Sequence, residues 1–466
     1  MLPEQLDGLR ALVGADRVVT DEATLATLSR DSSYRSQKLE RSHRNIAVAE
    51  AVVRPRDTAE VAAVLRWCTQ QGVPVTARGP GSAVVGSGIP LRGGILLDVR
   101  DFNKVLEINQ YDRRARVQGG ILLSDLEAEL NKHGLTGGHY PQSLYVSSVA
   151  GGLVMRGTGT FSSLYGSVED RLAELTVVLP DGRIYQSHNS PRASTGPDLR
   201  QLFLGSEGTL GIITEVVLKV VPMPQSRRYA SYAFDRFEDS LDATRDMLAA
   251  GVVPAVLRIY DPVETKAKHA HFATAQGTWL MVLLYEGDAE LTATQANVVE
   301  RLAGARQGRP MGEEPARTWE EHRFDVSWMS DQVDRDGGVA EAVEVAATWS
   351  ALPRLMERMQ AAARRTMARV MGHVSHIYSD GASLYVISSG DYDCDEAALK
   401  AYDQLWADLM AVVLEEGAVI SHHHGIGFER AAWMGLEHGE VGMGLLRGVK
   451  SLIDPAGIMN PGKLGL

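Results

Sequence analysis

The sequence predicts an α+β protein in which a strand-rich, glycine-rich unit is followed by a sheet covered by helices. Three observations predict it. Between about 46 and 222, short Val- and Ile-rich runs (IAVAEAVVRP, VPVTARG, GILLDV, LTVVLP, GIITEVVLKVVP) read as strands. From about 225 to 415, helical stretches near 240–250, 289–305, 350–368 and 395–415 alternate with strand-like runs such as AVLRIYD, WLMVLLYEG and GASLYVIS. Within the first unit, three glycine-rich loops are each attached to a strand.

Taken in order, residues 1–45 read as a polar helical cap, and 46–224 as the glycine-rich unit with a helix over Thr58–Gln70. The Val221-Pro222-Met223-Pro224 stretch breaks the pattern, and 225–415 forms the second unit. Residues 416–466 hold a histidine-rich turn, a helix near 442–452 and the terminal DPAGIMNPGKL. A chain of 466 residues exceeds one ordinary core, so two to three packed units fit it.

Composition excludes several classes. A net charge of −12 leaves no general basic character for nucleic acid or an anionic membrane. The two cysteines, Cys68 and Cys394, supply neither a disulfide framework nor a zinc ribbon. The first residues lack a charged n-region followed by an apolar h-region, and no apolar run approaches the ~20 residues of a membrane span. The sequence therefore reads as cytoplasmic, with a small molecule rather than a nucleic acid as its partner.

The chemistry lies in four segments. Arg78-Gly79-Pro80-Gly81-Ser82-Ala83 follows the strand VPVTA directly, and glycines there let backbone N–H groups converge on an anion such as a phosphate. It is not a Rossmann fingerprint, because Val84 stands where the third glycine belongs. The second loop, PQSLYVSSVAGGLVMRGTG (141–159), offers small hydroxyls at Ser147 and Ser148 and bare backbone at Gly151 and Gly152. The third, GSEGTLGIITE (205–215), turns into a strand. Three such loops suggest one extended ligand lying across a sheet. The fourth segment, ISHHHGIGFER (420–430), concentrates three of only 13 histidines, groups that titrate near neutrality and must be solvated, paired or used. Alternation along a strand would put His422 and His424 on one face and His423 on the other.

Together RGPGSA, PQSLYVSSVAGG, FLGSEGTLGIITEVVLKV and IDPAGIMNPGKL resemble the FAD-binding fold of the vanillyl-alcohol oxidase and para-cresol methylhydroxylase flavoproteins, the type 4 FAD-linked oxidases and transferases. The resemblance implies a two-subdomain FAD-binding domain and a substrate domain built on a helix-covered antiparallel sheet. It assigns the pyrophosphate to the first loop (Gly79, Gly81, Ser82, Ala83, flanked by Arg78 and Pro80). It assigns the ribityl chain and flavin to Pro141, Ser143, Ser148, Val149 and Gly151, with Ser147 beside them. The adenine side falls to Glu207, Gly208, Gly211 and Ile213. Relatives that attach flavin covalently use a histidine in the first loop; none is present, so the implied FAD is noncovalent.

Within that branch, SPRASTGPDLRQLFLGSEGTLG, PAVLRIYD, GHVSHIYSDGASLY and SHHHGIG are most similar to the alkyldihydroxyacetonephosphate synthase family. That family exchanges an acyl group for a fatty alcohol without net redox change. The resemblance implies Tyr378 as acid/base, His422, His423 and His424 beside the substrate, and Arg258 close to the site. For each there is a structural alternative: a solvated or hydrogen-bonded strand end for the histidines, a packed strand aromatic for Tyr378, a salt bridge to a carboxylate such as Asp261 for Arg258. Related 2-hydroxyacid dehydrogenases hold a metal with a second histidine and an acidic residue. Here Tyr385 replaces that histidine, and His376 is left with a carboxylate-poor neighbourhood, so no metal is expected.

One stretch departs from the synthases. In RFDVSWMSD (323–331), Ser330 stands where the family's phosphate-anchoring arginine would be, with Arg335 about one helical turn away. Losing a charge-assisted contact of that kind removes about 2–3 kcal/mol of phosphate binding. The sequence thus supports a flavin oxidoreductase acting on a small hydroxy substrate, with a redox-neutral synthase as the alternative. A flavin-binding protein without catalysis is the third reading, disfavoured by the His, Tyr and Arg candidates. A homodimer is compatible with the sequence.

Overall fold

The computed structural model describes all 466 residues, Met1–Leu466. Two sheets build the first half. One has four strands in the order 18–19, 51–53, 95–98, 75–78; the last three run parallel and 18–19 is antiparallel. The helix Thr58–Gln71 covers this sheet. Asp57 caps its start by accepting the Glu60 N–H, and Gly72 in the left-handed conformation ends it. Its apolar side, Val61, Val64, Leu65 and Cys68, enters the same core as Val53, Val75 and Leu97. The other sheet is antiparallel, ordered 105–109, 114–118, 212–219, 172–178, 184–186.

The second half is organised by a seven-stranded antiparallel sheet, ordered 309–312, 226–234, 279–287, 256–260, 369–377, 381–391, 338–348. Strand alternation divides its residues between two cores. Leu257 and Ile259 face the helices Phe237–Ala249, Leu352–Ala363 and Asp395–Glu415 in the largest core, whereas Val256 and Tyr260 face the opposite side with Phe161 and Trp319. That opposite side is where the candidate site forms.

The N-terminal segment does more than the polar cap expected. Helices form at Pro3–Val13, Glu22–Leu28 and Tyr34–Arg41, but Val18–Val19 adds a strand to the first sheet, and Leu9 and Val13 lie in its core. Tyr34 donates to the Gly338 carbonyl, and Lys38 reaches Asp395 and the Arg335 carbonyl, tying the segment to the seven-stranded half. The C-terminal helix begins at Met434, earlier than its sequence pattern indicates, because a kink at Gly439 (φ 66°) joins a short first piece to the longer second. The chain end then returns to the first sheet: Val75 donates to the Ile458 carbonyl and Asn460 to the Val75 carbonyl. No helix is long and apolar enough to cross a membrane.

Candidate active site

The first loop leaves the strand Val75–Arg78. Gly81 adopts φ 94°, and a Cβ there would collide with the Arg78 guanidinium, which is buried and donates to the Arg30 carbonyl. Ser82 Oγ lies 2.7 Å from Ser147 Oγ, which bonds Ser143 Oγ at 2.7 Å, so a chain of hydroxyls joins the first two loops. Ser148 caps the short helix Val149–Met155 by accepting the Gly151 N–H. The second loop meets the third where Gly205 and Glu207 donate to the Leu153 and Val154 carbonyls. Gly208 lies beside Ala77 and Asn460. The side chain of Ile213 packs into the core of the five-stranded sheet, and a Cβ on Gly211 would strike the Val178 carbonyl. Both therefore shape the loop's backbone and present no side chain to a ligand.

Glu207 is buried and aimed at the histidine turn. Its carboxylate accepts the Ile426 N–H (2.7 Å) and the Gly427 N–H (2.8 Å). Burial pushes its pKa up to about 7, against the pull of those two donors. The turn also leans on the chain that continues the first loop. Gly427 (φ 57°) abuts the Val85 carbonyl so closely that a Cβ is excluded, and Glu429 donates to the same carbonyl. Gly425 packs on Met155 at the end of the second loop. All three glycine loops thus converge on the segment carrying His422, His423 and His424.

The seven-stranded sheet supplies the other wall. Cross-strand registers place Tyr260 opposite His373, His373 opposite Tyr385, and Tyr385 opposite Glu344, one row across four strands. His373 and Tyr385 stack with ring centroids 4.5 Å apart. Simple alternation from His373 would send position 376 to the opposite side with Val374. A bulge at His376 (φ 48°) overrides it and brings that imidazole 5.3 Å from the His422 ring, with its Nδ1 2.9 Å from Ser162 Oγ.

Tyr378 follows the bulge, and its hydroxyl lies 2.6 Å from His422 Nε2. His422 Nδ1 is 2.8 Å from His423 Nδ1, and His423 Nε2 is 3.0 Å from Tyr385 Oη. The alternation expected of this segment fails, because 421–424 is a bend rather than a strand, and His422 and His423 face each other. Burial lowers the His422 pKa to about 4 and raises that of Tyr378 to about 12, so both are neutral at pH 7.

Glu344, fully buried, holds the bend together. It accepts the His422 and His424 N–H groups, the Ser421 hydroxyl (3.0 Å) and Arg430 Nη1 (3.1 Å), and lies 3.3 Å from His424 Nδ1. Burial opposes its charge, yet Arg430 and the turn's donors hold its pKa well below the carboxylate range. The neighbourhood is thus not carboxylate-poor as expected, but this carboxylate is committed to the turn. No group of three or more His, Cys, Asp or Glu side chains is arranged to hold a metal ion.

Arg258 does not pair with Asp261, which instead caps the helix Pro262–Lys268 and bonds Gln360. Its Nη2 lies 2.5 Å from His373 Nε2, and His373 Nδ1 lies 2.9 Å from Glu264. Because arginine only donates, Nε2 accepts and Nδ1–H donates to Glu264. Lys268, at the protein surface, ends this chain 2.7 Å from Glu264. Ser330 lies on the helix Ser327–Asp334, and Arg335 pairs outward with Asp391, so Arg335 does not replace the missing anchor. Arg323 forms no ion pair; it donates to Thr160 and lies over Phe324, Phe161 and Tyr140.

Sequence reasoning missed Glu344, Arg430, His373 and Glu264. Glu344 had a signal: a lone acid at the centre of the apolar run AVEVAA, a residue type seldom buried unless paired.

Two predictions arise here. Gly81→Val forces a left-handed residue against Arg78, at about 1–2 kcal/mol of backbone strain alone. Roughly tenfold weaker FAD retention is expected, read as flavin absorbance per protein after gel filtration. The second concerns acid stability. His139, His269, His373 and His422 have pKa values lowered to about 4 by burial, against about 6.5 when unfolded. The unfolded chain binds more protons between those values, so these groups destabilise the fold as pH falls from 6.5 to 4. Glu207 and Glu429, raised to about 7, and Asp261, raised to about 6, act in the opposite sense, stabilising below about 4 and losing that contribution as pH rises through 6 to 7. Four histidines outweigh three carboxyls. Urea midpoints are therefore expected to drop steadily from pH 6.5 to pH 4.

Residues fitting a dinucleotide-linked flavin are thus in place. Bare glycine backbone and a hydroxyl chain line the first two loops, and Tyr145 and Val146 in the second are more than half exposed. Comparison with known proteins agrees. Residues 49–187 match the family described as FAD binding domain, and 223–464 match that described as FAD linked oxidases, C-terminal domain. The chain is 30% identical to an uncharacterized FAD-linked oxidoreductase, YgcU, of Escherichia coli O157:H7, covering 98% of this chain and 97% of that protein. It is 27% identical to alkyldihydroxyacetonephosphate synthase of Dictyostelium discoideum, over 99% of this chain and 80% of that one. A solved alkyldihydroxyacetonephosphate synthase superposes with a TM-score of 0.82 at 25% identity, covering 99% of this chain and 85% of that chain. p-Cresol methylhydroxylase shares the fold, with a TM-score of 0.79 at 18% identity over 99% and 96% of the two chains. The chain belongs to the FAD-linked oxidase family and is an enzyme with FAD as its cofactor.

Proposed function

We propose that the enzyme oxidises a hydroxyl-bearing carbon of a small substrate, with Tyr378 and His422 managing the hydroxyl proton. The observation that carries this reading is the 2.6 Å hydrogen bond between Tyr378 and His422 on a turn docked to all three glycine loops. The first loop would hold the FAD pyrophosphate noncovalently through Gly79, Gly81, Ser82 and Ala83; Ser143, Ser147 and Ser148 would lie along the ribityl chain. FAD, when bound, supplies the acceptor for a hydride from the substrate carbon. The chain's own residues do the rest. Tyr378 takes the hydroxyl proton, and Arg258 offers a fixed cation to an oxygen of the substrate. The partner of Arg258, His373, kept neutral by burial, brings no counter-charge to it. Ser330, with Arg335 turned outward, supports a substrate held otherwise than by a phosphate anchor.

A redox-neutral transfer like that of the synthases is the second reading, favoured by the combination of Tyr378, the histidine turn and Arg258. Anaerobic mixing of the yellow protein with candidate hydroxy acids and alcohols separates the two. Bleaching of the flavin band by a hydroxy compound is the expected result. Turnover of an acyl-dihydroxyacetone phosphate with a long-chain alcohol, without any electron acceptor, would overturn the oxidative reading.

A further inference from the structure

Tyr378, His422, His423 and Tyr385 form an unbroken line of hydrogen bonds of 2.6, 2.8 and 3.0 Å. Its middle link restricts the others. Two imidazoles bonded Nδ1 to Nδ1 share one proton, so one ring donates and the other accepts. While both are neutral, they are opposite tautomers. If His422 carries its proton on Nδ1, its Nε2 accepts from Tyr378, and His423 carries its proton on Nε2 and donates to Tyr385. If the polarity is reversed, Tyr385 donates inward and His422 donates to the Tyr378 oxygen. Tyr378 is thus ready to receive a proton in the first state and ready to give one in the second.

A neutral phenol cannot act as a base unless it passes its own proton on, and His422 lies where that proton must go. We propose that these four residues are a proton relay that works by exchanging the tautomers of His422 and His423, with Tyr385 as its outer terminus. The inference rests on the acid–base role given to Tyr378 above and extends it to two groups beyond His422. In the forward step the substrate O–H bond breaks as a new O–H bond forms at Tyr378. The Tyr378 proton moves to His422 Nε2, and the His422 Nδ1 proton crosses to His423 Nδ1. The His423 Nε2 proton passes to Tyr385, which releases its own phenol proton to water. One proton leaves the substrate, one reaches water, and all four side chains end neutral with both imidazoles inverted. The electron pair departs separately with the hydride.

The surroundings favour exchange over charging. Tyr385 is pinned by its stack on His373, and the backbone of the bend is fixed by Glu344, whose charge is already met by Arg430. Tyr385 and His423 are only partly buried, which leaves the outer end within reach of water.

Holoprotein labelled with ¹⁵N-histidine tests this without a substrate, the two resonances being assigned by His422→Asn and His423→Asn. At pH 7 the rings are expected to be neutral and of opposite tautomer. Tyr385→Phe, which keeps the stack on His373, is expected to shift the tautomer balance of His422, two hydrogen bonds away. Tyr378→Phe is expected to shift that of His423. Identical tautomers, an imidazolium at pH 7, or a His422 signal indifferent to Tyr385→Phe would overturn the relay. Flavin bleaching is read in a separate experiment, so coupled histidines without bleaching remove the oxidative reading alone, and bleaching with uncoupled histidines removes the relay alone.

Discussion

Glu344→Ala is expected to be the most destabilising single substitution at the site, lowering unfolding free energy by about 3–5 kcal/mol, with the largest loss in the 420–430 turn. The reason is the company Glu344 keeps. Its partner Arg430 is almost wholly buried, with its guanidinium 4.5 Å from the centre of the Trp406 ring, so removing the carboxylate strands a cation away from water. The His422 and His424 N–H groups and the Ser421 hydroxyl lose their acceptor at the same time. Glu344→Gln keeps the shape and one acceptor but not the charge, and a smaller loss is expected. Urea titrations of the three proteins at pH 7 provide the comparison. Equal midpoints for wild type and Glu344→Ala would show that the turn is held by other means.

Tyr378→Phe is expected to slow flavin reduction by a hydroxy substrate on the order of 10²–10⁴-fold while leaving FAD content and fold intact. The ring remains to fill its place, and only the hydroxyl that contacts His422 is lost. Binding should change little, because an acid–base group acts chiefly in the transition state; the loss is expected in the limiting rate rather than in the half-saturating concentration. Stopped-flow reduction under anaerobic conditions separates the two quantities. A limiting rate within threefold of wild type would remove Tyr378 from the chemistry.

The glycine loops were legible in the sequence because a backbone that must approach a ligand or another backbone requires glycine, and Gly81, Gly205 and Gly208 bear that requirement in their positive φ angles. The helices at 289–305 and 395–415 coincide with their sequence patterns because each buries a continuous apolar stripe. What stayed hidden depends on distance along the chain. Glu344 contacts residues 77 to 86 positions away, and Glu207 meets Gly427 across 220. No local pattern records such contacts. The inward turn of His376 was hidden for a different reason: a bulge breaks the period-2 rule by which strand faces are read. The facing of His422 and His423 followed from a bend that the apolar flank Ala418–Ile420 gave no sign of. Two residues, Val18 and Val19, were too short a strand for any periodicity.

A structure of the yellow holoprotein with FAD tests the central claim most directly, that three glycine loops and the histidine turn form one flavin site. The pyrophosphate is expected against Gly79–Ala83 and the ring system facing Tyr378 and His422, with no covalent bond to the chain. A flavin ring lying away from Tyr378, or FAD held without the first loop, would contradict it.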